Sequence, residues 1–190
     1  NKWLQNPDLD VLGVNGAGAE AIAGSVTATY WLLMLVGRLI GASIGSKISA
    51  KAMLGTASVI GIFLVISAMF APTDLMVNMP VFKNSAEEMF GLVNVPVNAM
   101  FLALVGLCTS IMWGGIFNLA VEGLGKYLAA ASGLFMVLVC GGGILPVIQG
   151  IVADIAGFMP SYWVIIAALA YLLFYGLVGC KNVNKDIPVE

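Results

Sequence analysis

Polar residues recur every four positions inside one long apolar stretch of the chain. They are Ser110, Asn118 and Glu122, with Gly114 completing the spacing and Trp113 beside it. This spacing places them on one face of an α-helix. Because polar groups are costly against lipid, we expect this face to look at other helices or at a water-filled cavity. Asn118 could hydrogen-bond a hydroxylated ligand, or Ser110 and Asn118 could join neighbouring helices.

A second group of polar residues lies in a later apolar stretch, after three consecutive glycines at 141–143. Pro146 removes a backbone donor, so it predicts a kink that the glycines make easier to bend. Gln149 could present its amide to a ligand or to a neighbouring helix. Asp154 lies near the end of the stretch, where capping or pairing is its expected role.

The first apolar stretch contains Thr27, Trp31, Met34 and Arg38 on one predicted helix face. Arg38 lies close enough to the end of the helix to extend its charge to the interface. It could also form a structural or gating ion pair, since ionisable groups inside a membrane usually have a partner.

Glycines at a four-residue spacing, Gly37, Gly41 and Gly45, mark another face of that helix. Such a face lets a neighbouring backbone approach closely. We expect packing within the bundle; as a signal for dimerisation the spacing is weak.

Five predicted helices position these residues. Each stretch is at least about as long as the 20 residues that cross a hydrocarbon core, and charges fall almost entirely between the stretches. The predicted spans are 21–46, 52–72, 96–121, 128–155 and 160–180. Since 61% of the residues are hydrophobic and 9% are charged, we predict an all-α membrane protein with five transmembrane helices. The three cysteines lack metal-ligand spacing, and neither a metal nor a cofactor is expected.

Lysines set the predicted orientation. Five of them share one side of the membrane if the spans alternate, whereas Lys2 and Lys83 lie opposite. By the positive-inside rule the C-terminus is cytoplasmic, and the connection 72–96 is external. Within that connection, Ser85 to Glu88 has the pattern of a capping box and predicts a short surface helix. The five lysines on the predicted cytoplasmic side are Lys47, Lys51, Lys126, Lys181 and Lys185.

The first residues resemble neither a natural start nor a signal peptide. The chain begins with Asn1, and residues 1–12 lack a basic region followed by an apolar core. We therefore expect residue 1 to be an internal position of a longer protein.

Three segments carry a resemblance to a known family. The run 109–126, with Ala131-Ser-Gly133 and the segment 141–150, is similar to the last third of the fucose permease and glucose/galactose transporter family of the major facilitator superfamily. Upstream, Tyr30-Trp31 and the segment 37–41 resemble the eighth helix of that family. One departure is Gly114-Gly115, where many members have Pro-Thr.

The resemblance implies that the spans correspond to helices eight to twelve of a twelve-helix carrier. Residues 1–190 would then be an incomplete C-terminal six-helix bundle. Members of the family are proton-coupled sugar carriers of the bacterial inner membrane, not enzymes, and their coupling acids lie in the N-terminal half. The expected partners are a hexose or 6-deoxyhexose, a proton, the lipid bilayer and the missing N-terminal half. Nucleic acid is not expected, and the chain alone should not transport.

Two sets of candidate residues follow. Aromatic rings stack on the apolar face of a pyranose, while amides and hydroxyls bond its hydroxyl groups. The predicted substrate-binding residues are Thr27, Tyr30, Trp31, Trp113, Asn118 and Gln149. The predicted gating or structural residues are Arg38, Lys47, Glu122, Pro146 and Asp154.

Two other functions remain open. A small membrane subunit that scaffolds a larger complex would show the same helices. A channel would need a continuous polar path or a charged ring, of which the sequence shows little.

Overall fold

A computed structural model describes residues 18–45, 47–72, 75–82, 90–139 and 141–181. Within these residues, five helical segments are long and apolar enough to cross a membrane, which confirms the predicted all-α membrane class. These segments contain six helices, because α4 and α5 belong to the same segment. The helices are α1 (Gly18–Ile44), α2 (Ala50–Phe70), α3 (Val97–Val121), α4 (Leu128–Leu138), α5 (Gly141–Ala156) and α6 (Phe158–Phe174). A 3₁₀ turn (Gly125–Tyr127) precedes α4, and a π-helical turn (Tyr175–Gly179) follows α6.

The main core lies between α2, α3 and α6. Leu54 and Val65 of α2 are buried against Cys108 and Met112 of α3 and Leu169 of α6. These side chains are apolar, so in a bilayer their close packing, rather than exclusion of water, is what holds the helices together. Ser49 caps the start of α2, because its hydroxyl accepts a hydrogen bond from the backbone N–H of Ala52 at 3.3 Å.

Helices α1 and α3 run parallel and approach through glycines. A Cβ atom at Gly37 would lie 2.9 Å from the backbone oxygen of Leu107, and one at Gly106 would lie 2.9 Å from the backbone oxygen of Tyr30. At Gly41 the nearest atom of Ile111 would be 3.5 Å away. The glycine spacing of the first span therefore serves packing within the bundle.

A two-stranded antiparallel hairpin connects α2 to α3, formed by β1 (Met76–Phe82) and β2 (Phe90–Pro96). Residues alternate between its faces, so Met79, Val81, Val93 and Val95 are buried next to α1 and α3. This hairpin was not predicted from the sequence. The short helix predicted at Ser85–Glu88 lies outside the described residues.

The fourth predicted span is divided into α4 and α5. The division lies directly before the glycines at 141–143, and the Gly142 N–H bonds the carbonyl of Val139 at 2.8 Å. Glycine is a poor helix former, and Pro146 cannot donate to the carbonyl four residues before it, so the helix is weakest here. Gly157, with φ of 96°, turns the chain from α5 into α6.

Candidate functional site

A cavity of about 430 Å³ lies between the C-terminal half of α1, the start of α2 and the C-terminal half of α3. This volume falls within the range of small-molecule sites, roughly 300–1,000 Å³. Its lining includes Arg38, Gly41, Ala42, Gly45, Ile48, Ala50, Met53, Ser110, Ile111, Trp113, Gly114, Gly115 and Asn118.

The cavity exists because small residues face it from three elements. Gly41 and Ala42 come from α1, Ala50 from α2, and Gly114 and Gly115 from α3. A Cβ atom at Gly114 would meet nothing within 4 Å, so this glycine borders open space. At Gly115 the Ala50 oxygen would be 3.3 Å away, so this glycine sets the spacing of α2 and α3. Gly41 and Gly45 thus line the cavity, although their spacing in the sequence indicated only helix packing.

Three larger side chains give the cavity its chemistry. Arg38 contributes five N–H donors, Asn118 an amide that both donates and accepts, and Trp113 an aromatic face and one N–H. Asn118 and Arg38 are exposed within the protein. None of the lining residues is acidic, and no described carboxylate lies within ion-pair distance of Arg38. The lining therefore combines hydrogen-bond donors, one amide acceptor and an aromatic surface.

Trp113 packs against a phenylalanine of α4. The indole and the ring of Phe135 meet edge to face at a centroid distance of 5.6 Å, and Phe135 in turn packs against Phe117 of α3 at 5.4 Å. Trp113 keeps 40% of its surface exposed, so a face of the indole remains available next to the cavity. Helix α4 thereby fixes the orientation of the indole.

Ser110 and Asn118 have different roles although they share the polar face of α3. The Ser110 hydroxyl, 3% exposed, donates to the Met34 carbonyl of α1 at 2.5 Å. It therefore joins two helices, which is one of the alternatives left open by the sequence. Asn118, two turns further along, faces the cavity. Glu122 follows one turn later, exposed at the end of α3.

Thr27, Tyr30 and Trp31 do not line this cavity. Thr27 donates to the carbonyl of Ala23 in its own helix at 2.9 Å. Tyr30 packs against Gly106, and its hydroxyl lies 3.5 Å from that of Thr109. Trp31 is 62% exposed and shares a helix face with Arg38, about 10 Å away along α1.

Gln149 lies away from the cavity on α5. Together with Val152 and Ala153 it forms the least exposed face of that helix, and α5 packs on α6. Pro146 is inside α5, and Asp154 is exposed in its last turn. Lys47 is exposed in the turn between α1 and α2. The structure therefore brings Arg38, Trp113 and Asn118 together, and it leaves the other candidates apart.

Comparisons with known proteins point to transport. The chain is 42% identical over 78 residues to the glucose/galactose transporter of Brucella abortus biovar 1, which covers 41% of this chain and 19% of that protein. It is 28% identical over 158 residues to the putative glucose/galactose transporter of Helicobacter pylori strain J99, covering 80% of this chain and 33% of that protein. The chain thus spans a third or less of the length of these curated relatives. No family model and no solved structure matches it.

These matches and the five apolar helices agree with each other. The resemblance seen in the motifs is confirmed: the chain is a multi-pass membrane protein related in sequence to bacterial glucose/galactose transporters.

Proposed function

We propose that the chain forms the C-terminal portion of a monosaccharide carrier and that the cavity between α1, α2 and α3 is part of its sugar pathway. The observation that carries this proposal is the meeting of Trp113, Asn118 and Arg38 in one cavity without an acidic residue. The indole face offers a stacking surface for a pyranose, and the amide and the guanidinium offer hydrogen bonds to its hydroxyls. The similarity to proteins named glucose/galactose transporters favours a hexose.

The proposed pathway continues from the cavity along α1. Thr27, Trp31, Arg38 and Ala42 lie close to one line on the helix, and all four are exposed. Exposed polar and charged groups on a membrane helix, such as Thr27 and Arg38, are expected to face protein or water rather than lipid. In the proposed carrier, Trp31 is a second stacking surface, which the remaining part of the protein would enclose.

Gln149 and Tyr30 have an indirect role in the proposed pathway. Gln149 lies on the least exposed face of α5, a helix that packs on α6, and Tyr30 packs at the contact between α1 and α3, so both would support the pathway by holding helices. Direct contact of Gln149 with the sugar would require a rotation of α5. The division of the fourth span beside the glycines and Pro146 supplies the place where such a movement could occur.

Proton-coupled symport by alternating access is the proposed mechanism. The lining contains no carboxyl group that could carry a proton, so we place the coupling acids in the N-terminal helices, without which the chain would be inactive. Arg38, with Lys47 and Glu122 at the same membrane side, would then form a gate with groups of that half. The lysine distribution favours a bacterial inner membrane location with the C-terminus in the cytoplasm.

Equilibrium binding of glucose and galactose to the full-length protein tests the sugar site. Asn118→Ala and Trp113→Ala should each weaken binding by about 1–3 kcal/mol, because hydroxyls lose a partner or a ring loses its stacking surface. Phe63→Ala is the matched control, since Phe63 is an aromatic residue of α2 that lies outside the cavity. Unchanged affinity in both cavity variants, with a lowered melting temperature, would reject the proposal.

A further inference from the structure

Three lysines gather where α1, α2 and α6 end on one side of the membrane. Lys47 lies in the turn between α1 and α2, Lys51 in the first turn of α2, and Lys181 directly after the π-helical turn. A Cβ atom at Gly176 would be 3.3 Å from Leu54, so the end of α6 packs against the start of α2. This contact brings Lys181 to the level of Lys51. We call these three residues the lysine cluster.

The lysine cluster carries a net positive charge that the described residues do not neutralise. Of the described acidic side chains, Asp154 lies at the opposite membrane side. Glu122, at the end of α3, shares the membrane side of the three lysines, but one carboxylate cannot balance three ammonium groups. Among the described residues, no ion pair is recorded for Lys47, Lys51 or Lys181. A cluster of uncompensated ammonium groups at a helix end attracts anions from the adjacent surface.

Apolar side chains surround the lysine cluster on the outside of the bundle. Ile44 is exposed at the end of α1, and Leu177 and Val178 are exposed in the π-helical turn. Because these residues adjoin the ends of membrane-spanning segments, they are at the depth where lipid acyl chains begin. Ammonium groups and an exposed apolar surface therefore lie side by side. A soluble anion would contact only the ammonium groups, whereas a phospholipid would contact both.

We propose that the lysine cluster binds the headgroup phosphate of an anionic phospholipid whose acyl chains lie on Ile44, Leu177 and Val178. The lipid would bridge the α1–α2 turn and the end of α6, elements that are separate in sequence. This inference is independent of the proposed sugar function, since it rests only on the helix ends and their charges.

Native mass spectrometry of the protein in nanodiscs of phosphatidylcholine with added phosphatidylglycerol tests the lipid site. We expect phosphatidylglycerol to be retained in preference to phosphatidylcholine. Lys51→Gln should lower its affinity about fivefold, since each lysine near a membrane surface contributes about 1 kcal/mol. Lys51→Gln combined with Lys181→Gln should lower it further, while Lys51→Arg should retain it.

Lys126→Gln is the matched control, because it removes one charge from the same membrane side outside the lysine cluster. Lys126 lies 5.6 Å from the ring of Tyr127 in the connection between α3 and α4. An equal loss of phosphatidylglycerol affinity in Lys126→Gln would mean that the lipid is held by general attraction to a positive surface, and it would overturn the proposal. Equal retention of both lipids would also overturn it, as would full displacement by soluble glycerol phosphate. Melting temperatures in pure phosphatidylcholine verify that each variant is folded.

Discussion

Gly37→Ala tests the contact between α1 and α3, on which the shape of the cavity depends. The new Cβ would lie 2.9 Å from the backbone oxygen of Leu107 and 3.0 Å from the Cβ of Ser110. A backbone oxygen cannot swing away as a flexible side chain can, so the two helices must separate by a few tenths of an ångström. Inserting a methyl group into a packed contact typically costs about 1–3 kcal/mol.

Gly24→Ala supplies the matched control on the same helix. A Cβ at Gly24 would meet nothing within 4 Å, so this variant gains only the helix propensity of alanine, about 1 kcal/mol. Both variants gain the helix propensity of alanine. The difference between their stabilities is therefore the cost of the steric clash at the α1–α3 contact. Gly41→Ala should lie between them, because its nearest atom would be 3.5 Å away, an ordinary van der Waals distance.

Thermal unfolding of the full-length protein in detergent measures this difference. We expect Gly24→Ala to melt at or above the wild-type temperature and Gly37→Ala to melt several degrees below Gly24→Ala. Sugar affinity should fall in Gly37→Ala and not in Gly24→Ala, since Arg38 and Asn118 line the cavity from the two helices that separate. Equal melting temperatures in the two variants would refute the close approach of α1 and α3 at Gly37.

The other predictions concern a hydrogen bond, the topology and the hinge. Ser110→Ala should lower stability by about 1 kcal/mol, measured by thermal unfolding, because the Met34 carbonyl loses its interhelical donor; unchanged stability would contradict that bond. A membrane-impermeant thiol reagent should label Asn78→Cys from outside intact cells but not Lys181→Cys, and the reverse would invert the orientation. Gly142→Leu should depress transport more than sugar binding, whereas equal loss of both would indicate collapsed packing.

The helices were predictable because charge is excluded from a bilayer. Gaps between charged residues located α2 and α3 to within two residues of their observed ends. The hairpin was not predicted, although Val77, Met79 and Val81 alternate with polar or turn residues along β1. The strands lie in the same connection as Ser85–Glu88, whose capping-box pattern predicted a short surface helix instead.

The candidate site was predictable only in part, because an apolar sequence does not reveal which face of a helix meets which neighbour. Trp113 and Asn118 were identified from the polar face of α3, and both border the cavity. Gln149 belongs to α5, and the sequence of that helix could not indicate that it packs on α6 rather than beside the cavity. The small residues that create the cavity carry no chemistry of their own.

Substrate protection of a cysteine in the cavity tests the central claim most directly. Asn118→Cys in a full-length protein otherwise without cysteine should react with a small maleimide, and glucose or galactose should slow that reaction. Lys126→Cys, exposed on the same membrane side but outside the cavity, should react at an unchanged rate. Protection at position 118 alone is the result that the proposed sugar pathway predicts. Equal rates at position 118 with and without sugar, in a protein that still binds sugar, would contradict it.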